Sequence, residues 1–185
     1  IMNIDGSNNV KVTNSPKSES NARWISDSKV MYMRGGEIFC ANVVNGTLEG
    51  EQKIEAPAGI EGFELSPSAN KIMYVKSVKA AVKPTDLYPD LDKSSGRTYT
   101  NLMYRHWDHF VEEVPHTYVA DFNGSAITDS KDILAGDTAN PEVEGKPFEL
   151  PTLPFGGLEQ LSWSPCEKYI AYSCRKLWGR DYAFS

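Results

Sequence analysis

A short window of the chain, residues 105 to 116, holds the side chains best suited to bind a charged ligand. Arg105 and Asp108 stand three positions apart, and Glu112 and Glu113 are adjacent. Carboxylates in a partly desolvated pocket bind an ammonium group through charge-assisted hydrogen bonds, so Asp108, Glu112 and Glu113 are candidates for amine recognition. Two alternatives stay open, because adjacent glutamates are also common on solvated turns and Arg105 with Asp108 could form an internal ion pair.

Aromatic side chains in and beside the same window could line a pocket for a peptide side chain. Tyr104, Trp107 and Phe110 would supply the walls, since bound ligands are held mostly by apolar and aromatic surface. Alternatively, a buried stripe that fastens this segment to its blade could be formed by Leu102, Met103, Trp107 and Phe110. Arg105 and Trp107 therefore join the three acidic residues as candidate substrate-binding positions.

The window also contains three histidines, which raises the question of a metal site. His106, His109 and His116 with Asp108 are ligand types for zinc. His106 and His109 could share a helical face, but no cysteine is near and His116 falls in a predicted strand. The sequence therefore predicts no metal and no cofactor.

A phrase that occurs three times predicts the elements that position this window. Each copy has a short apolar strand, a serine-containing turn and a second, alternating strand, which is typical of a β-propeller blade. Two of the closing tyrosines, Tyr74 and Tyr172, each stand 9 residues after the equivalent apolar residue, Leu65 or Trp163. The copies are Trp24-Ile25-Ser26 continuing to Tyr32, Phe63-Glu64-Leu65-Ser66-Pro67 continuing to Tyr74, and Leu161-Ser162-Trp163-Ser164-Pro165 continuing to Tyr172.

A second repeated phrase, an Asp-Gly or Asn-Gly pair after an apolar strand, measures the length of the repeat. Such pairs favour tight hairpin turns because both residues tolerate positive φ. Gly6 and Gly46 are 40 residues apart, the usual length of a four-stranded blade, whereas Gly46 and Gly124 are 78 apart. The excess predicts an insertion at about residues 80–114, which contains most of the candidate site.

This register predicts an all-β chain that is a fragment of one β-propeller domain, with about two complete four-stranded blades and two incomplete ones. The first complete blade would have strands at 22 to 26, 29 to 34, 36 to 43 and 51 to 55. An incomplete arc leaves terminal sheet faces bare, so a homodimer is a possible assembly. The predicted parts are 1–16, the end of a blade with a strand at 10 to 13; 20–57, a blade; 60–136, a blade carrying the insertion; 137–156, an acidic, proline-rich connector; and 157–185, the start of a blade.

Composition and charge exclude other classes of function. The chain of 185 residues has 40% hydrophobic and 24% charged residues, a formal charge of -6 and a pI near 5.1. Nucleic-acid binding needs a concentrated basic face, which scattered Lys and Arg do not provide, and there is no apolar stretch for a membrane span.

Cys166 and Cys174 are close enough in a predicted hairpin to face each other, although free thiols are the default expectation.

The repeats resemble the propellers of the prolyl oligopeptidase family of serine peptidases and also periplasmic TolB-like propellers. The insertion favours the peptidases, because its motifs look like the dipeptidyl peptidase V and acylaminoacyl peptidase branch. These motifs are Asp86-Leu87-Tyr88-Pro89-Asp90-Leu91, Leu102-Met103-Tyr104-Arg105-His106-Trp107-Asp108-His109-Phe110 and Val114-Pro115-His116-Thr117-Tyr118-Val119-Ala120-Asp121, with Pro154-Phe155-Gly156-Gly157 later in the chain.

The resemblance implies a propeller that caps an α/β-hydrolase domain and restricts entry to short peptides. The chain contains no Gly-x-Ser-x-Gly, so the resemblance implies no catalytic residue here, and the catalytic domain is expected to be absent. In the related dipeptidyl peptidase IV, paired glutamates projecting from the propeller bind the free amino terminus, which implies that role for Glu112 and Glu113. The parent enzyme would release dipeptides or acylated residues and would be periplasmic or secreted. The alternative function is a TolB-like periplasmic module that binds proteins.

Overall fold

The computed structural model describes residues 1–79, 84–96, 105–106, 109–110, 112–135, 149–152 and 156–174, with the backbone alone at 105, 106 and 109. The regular structure of these residues is almost all β-strand, with one short α-helix, α1 Pro84–Leu87, and one 3-10 turn, Leu158–Gln160, so the predicted all-β class is confirmed. The number of propeller blades stays a prediction. The chain divides into two compact units, Ile1–Tyr74 with Val119–Ser130 and Val75–Tyr118 with Lys131–Ser185. No helix in the described ranges is long and apolar enough to cross a membrane.

The first sheet contains four consecutive antiparallel strands: β1 Glu19–Ser26, β2 Lys29–Arg34, β3 Glu37–Val44 and β4 Thr47–Lys53. The β3–β4 turn consists of Asn45 and Gly46, whose φ angles are 50° and 79°. Positive φ at both positions gives the turn a twist that matches the flanking strands, so Val44 pairs directly with Thr47. The fourth strand therefore begins at 47 and ends at 53, whereas the sequence predicted 51 to 55.

The middle of this sheet is covered on both faces. Met31, Tyr32 and Met33 are consecutive in β2 and all buried, a pattern typical of a strand packed on both sides. Across one face, the Arg34 guanidinium donates two hydrogen bonds to Glu51, at 2.9 and 2.6 Å, and Tyr32 donates its hydroxyl to the same carboxylate. The guanidinium also lies 4.9 Å from the ring centroid of Phe39. This network joins β2, β3 and β4.

The remaining strands form one more four-stranded sheet and two short hairpins. The sheet has the order β10-β9-β6-β5, and the hairpins are β7–β8 and β11–β12. The bounds are β5 Ile60–Leu65, β6 Lys71–Lys79, β7 Arg105–His106, β8 His109–Phe110, β9 Glu113–Phe122, β10 Ile127–Asp132, β11 Leu161–Trp163 and β12 Ile170–Tyr172. β6 and β9 are neighbours in this sheet, and the residues between them in sequence, 80–112, fall within the range of the predicted insertion.

The two Ser-Pro turns have the same geometry, which supports the repeat read from the sequence. The Ser66 amide donates to Lys71 O at 2.9 Å, and the Ser164 amide donates to Tyr169 O at 2.9 Å. Each serine hydroxyl also accepts from the amide five residues later, at 3.2 and 3.0 Å. The residue three positions after each serine has positive φ, 55° at Ala69 and 59° at Glu167.

Within the first unit, β1 contacts β5, and each of these is an edge strand of its own sheet. Asn21 has a φ of 54° where the register of β1 against β2 shifts, a β-bulge that redirects the side chain. Its amide nitrogen donates to Phe63 O at 2.7 Å, and the Phe63 amide donates to Asn21 Oδ1 at 3.1 Å. The adjacent Arg23–Glu64 ion pair measures 2.5 Å. One side chain thus satisfies both backbone groups on the unpaired side of β5.

Two further local predictions are wrong, and the default expectation of free thiols is confirmed. Residues 10 to 13 form no strand, because the mutual hydrogen bonds of Ile1 and Val10 close a loop instead of a ladder. His106 and His109 do not share a helical face, since they are backbone partners in the β7–β8 hairpin. Cys166 and Cys174 do not face each other: the first lies in the β11–β12 turn, the second lies beyond Tyr172 at the opposite end, and no disulfide joins them.

Candidate functional site

The structure places three of the five predicted site residues, one on a short hairpin and two at or beside the start of the strand that follows it. Arg105 pairs with Phe110 through the backbone of β7 and β8. Glu112 comes between this hairpin and β9, and Glu113 is the first residue of β9. Trp107 and Asp108 lie outside the described residues. The five candidates therefore stay predictions as ligand contacts.

The two glutamates differ in environment. Glu112 is half-buried and its amide donates to Phe110 O at 3.1 Å, whereas Glu113 is exposed. Glu113 is therefore the more accessible carboxylate of the two. That both reach one ligand stays a prediction.

Phe110 bears on the alternative in which the aromatic residues form a buried stripe. Its side chain is 39% exposed, so it is not a buried anchor of the segment. Tyr104 and Trp107 lie outside the described residues. The choice between a wall accessible to a ligand and a buried stripe therefore stays a prediction.

A buried polar cluster at the start of β9 is the site that the sequence did not predict. His116 is 7% exposed, and its Nδ1 lies 2.7 Å from Asp132 Oδ2. Asp132 Oδ1 accepts from the Leu134 amide at 2.8 Å. An ionised carboxylate only accepts hydrogen bonds, so His116 carries its proton on Nδ1. Burial alone would raise the pKa of Asp132, but the hydrogen bonds from His116 and Leu134 hold that pKa below its usual value of 3.8.

The segment at 149–152 completes this cluster. The Leu150 amide donates to Pro115 O at 2.9 Å, and the Thr117 hydroxyl donates to Leu150 O at 2.9 Å. Thr117 O in turn accepts from the Ile133 amide at 3.1 Å, next to the end of β10. Beyond the end of β10, Leu150 therefore takes its place as the hydrogen-bonding partner of β9. Part of the predicted connector is therefore packed, with Leu150 fully buried and Glu149 1% exposed.

This cluster is built to hold strands together rather than to react. His116 Nε2 has no hydrogen-bond partner among the described residues and is buried, so a solvent-borne substrate does not reach it. In the described part of the chain, no three His, Cys, Asp or Glu side chains converge as metal ligands. Apart from its residue type, nothing in the sequence indicated that His116 would be buried against a carboxylate. Counting outward from the Asn123-Gly124 turn, which brings residue 116 opposite the residues around 132, could have found its partner.

The first unit contains a separate pocket of about 190 Å³ between the β2–β3 turn and the connection to β5. One wall is the Glu37–Lys53 ion pair, with Nζ 2.5 Å from Oε1, and much of the rest is apolar. The volume is below the roughly 300–1,000 Å³ of small-molecule sites. None of the predicted site residues lines it, so it does not belong to the candidate site.

Comparisons with known proteins identify relatives along the whole chain. The chain is 38% identical over 187 residues to a dipeptidyl-peptidase 5 of Porphyromonas gingivalis and 35% identical over 188 residues to that of Porphyromonas endodontalis. Both alignments cover 100% of this chain and 26% of the relative. A dipeptidyl-peptidase 5 of Aspergillus fumigatus is 24% identical over 179 residues, which is 89% of this chain and 24% of the relative.

The chain therefore spans about a quarter of the length of the curated relatives that it matches. The similarity supports the predicted relation to dipeptidyl peptidases. The choice of one branch within the prolyl oligopeptidase family stays a prediction. No family model matches the chain, and no solved structure matches it.

Proposed function

We propose that this chain is a non-catalytic, all-β part of a serine exopeptidase that releases dipeptides from short peptides. The observation that carries the proposal is the alignment of the entire chain with proteins named dipeptidyl-peptidase 5, at 38% and 35% identity. Because those alignments cover 26% of each relative, the catalytic groups would lie in the rest of the parent protein. The absence of Gly-x-Ser-x-Gly from these 185 residues fits this division of labour.

The role proposed for the chain is to restrict access to a separate α/β-hydrolase domain. A propeller leaves a narrow channel or side opening, which excludes folded proteins and admits short peptides. The insertion between β6 and β9 is the segment proposed to contact substrate or the hydrolase domain. The parent would be a periplasmic or secreted enzyme, as the resemblance implies.

Amine recognition is proposed for Asp108, Glu112 and Glu113, with Arg105 and Trp107 as further substrate-binding residues. The exposed carboxylate of Glu113 is accessible to an ammonium group, and the exposed ring of Phe110 lies on the preceding strand. A hydrogen bond to a charged group contributes about 1.5–3 kcal/mol, so removing the charge should weaken binding about 10- to 100-fold.

The test is steady-state kinetics of the parent protein on short peptides with free or acetylated amino termini. Glu113→Gln and Asp108→Asn should raise KM for the free-amine peptides and leave kcat nearly unchanged. Glu49→Gln changes an exposed glutamate on β4 and is the matched control, for which no effect is expected. Unchanged KM in both site variants would remove these residues as amine anchors, while cleavage of acetylated peptides alone would contradict dipeptide release itself.

A further inference from the structure

Two Asn-Gly turns of the chain lie in equally open positions but hold their asparagines differently. Asn45-Gly46 joins β3 to β4, and Asn123-Gly124 joins β9 to β10. A Cβ atom added at either glycine would meet nothing within 4 Å, so neither glycine is crowded on the side where a Cβ would stand. Steric access therefore does not separate the two sites.

The side-chain amide of Asn123 is held in place. Its Oδ1 accepts hydrogen bonds from the Ser125 amide at 3.0 Å, the Ser125 hydroxyl at 3.1 Å and the Ala126 amide at 2.8 Å. These contacts fix the side chain over the residues that follow Gly124. Rotation toward the Gly124 nitrogen requires that all three bonds break.

The side-chain amide of Asn45 has no such restraint. Asn45 is exposed, and its side chain makes no hydrogen bond with the described residues. The turn is tied by the Thr47 hydroxyl, which donates to Val44 O at 2.7 Å and leaves the asparagine amide unconstrained. The following strand, β4, is exposed along most of its length, so little packing opposes local opening of the hairpin tip.

We infer that Asn45 is a site of spontaneous deamidation and isoaspartate formation, and that Asn123 is protected. The Gly46 backbone nitrogen loses its proton to water or hydroxide and attacks Asn45 Cγ. The new C–N bond closes a succinimide, and the side-chain amide leaves as ammonia. Water then opens the ring at either carbonyl, giving aspartate or an isoaspartate whose chain runs through the side-chain carboxyl. The net change exchanges an amide and one water for a carboxylate and ammonium.

The modification changes the first sheet. It adds a negative charge at a hairpin whose outer strand already carries Glu49 and Glu51. The isoaspartate form also inserts one methylene into a two-residue turn. That insertion is incompatible with the direct pairing of Val44 with Thr47, so the outer strand should pair less stably.

The experiment compares the two sites in the same sample of parent protein during incubation at mildly alkaline pH. Trypsin places them on different peptides, residues 35–53 and 106–131, and mass spectrometry with isoaspartyl methyltransferase labelling measures each rate. Each hydrogen bond that must break slows the reaction severalfold, so Asn45 should react at least about tenfold faster than Asn123 in the folded protein. In urea the two rates should converge, because the flanking sequences are similar.

Two variants make the cause specific. Gly46→Ala crowds the attacking nitrogen and should suppress the reaction at residue 45, while Ser125→Ala removes one restraint and should accelerate residue 123. Equal rates in the folded protein, or a difference that persists unchanged in urea, would overturn the inference. Protection of both sites in the folded protein would overturn it as well.

Discussion

The contact between Asn21 and Phe63 predicts a loss of unfolding free energy whose size can be worked out from the structure. One asparagine side chain donates to Phe63 O at 2.7 Å and accepts from the Phe63 amide at 3.1 Å. Phe63 is 0% exposed, so its backbone groups have limited access to water. Leaving a buried polar group unpaired costs about 1–3 kcal/mol, and Asn21→Ala removes the partner of two. We expect this variant to lose about 2–4 kcal/mol of unfolding free energy, after partial solvation of the freed groups.

The backbone of Asn21 allows a second variant to separate the hydrogen bonds from conformational strain. Its φ of 54° lies in the left-handed region, which costs a residue with a Cβ about 1–2 kcal/mol and glycine almost nothing. Asn21→Gly loses the same two bonds but relieves that strain, so it should be about 1 kcal/mol more stable than Asn21→Ala. Asn42→Ala, at an exposed asparagine of β3, should change stability by less than about 0.5 kcal/mol.

Urea unfolding of the parent protein measures the free energies, and hydrogen–deuterium exchange of residues 60–65 reports the contact locally. Both Asn21 variants should speed exchange at the Phe63 amide, while Asn42→Ala should not. The reasoning is refuted if Asn21→Ala is as stable as the unmodified protein. An Asn21→Gly variant less stable than Asn21→Ala would refute the strain argument alone.

Two further predictions concern partly buried hydrogen bonds to carboxylates. The pKa of Asp132 is held below 3.8, so its stabilising contribution is present above that pH and is lost as the pH falls further. Asp132→Asn should therefore reduce the loss of unfolding free energy at acid pH. An unchanged loss would show that Asp132 does not contribute to the acid sensitivity of the fold. Tyr32→Phe removes the hydroxyl that Glu51 accepts and should cost about 1–2 kcal/mol in urea unfolding, whereas a neutral result would show that Arg34 alone fixes that carboxylate.

The repeated phrases predicted the local structure well because turn chemistry is a short-range property. The Ser-Pro turns share hydrogen bonds and positive φ at Ala69 and Glu167, and the Asn45-Gly46 turn pairs its strands directly. The strand predicted at residues 10 to 13 is absent because an alternating sequence does not form a strand without a partner strand. The fourth strand was misplaced because its exposed, polar residues carry no hydrophobic pattern.

The buried cluster around His116 was harder to predict because its contacts form across a hairpin and with a segment further along the chain. His116 meets Asp132 across β9 and β10, and Leu150 continues the same side of β9 from a segment that composition alone marked as a connector. Asn21 contacts Phe63 because a bulge redirects its side chain, which no residue periodicity signals. Glu112 and Glu113 were visible in the sequence as a pair, but their difference in burial follows from the short hairpin and strand around them.

The most direct test of the central claim is identification of the products that the parent protein forms from a short peptide with a free amino terminus. Mass spectrometry of a time course should show successive loss of dipeptides from that end, and the same peptide with an acetylated terminus should not be cleaved. Release of acetylated residues, of single amino acids, or of no product at all would contradict the proposal that this chain belongs to a dipeptide-releasing peptidase.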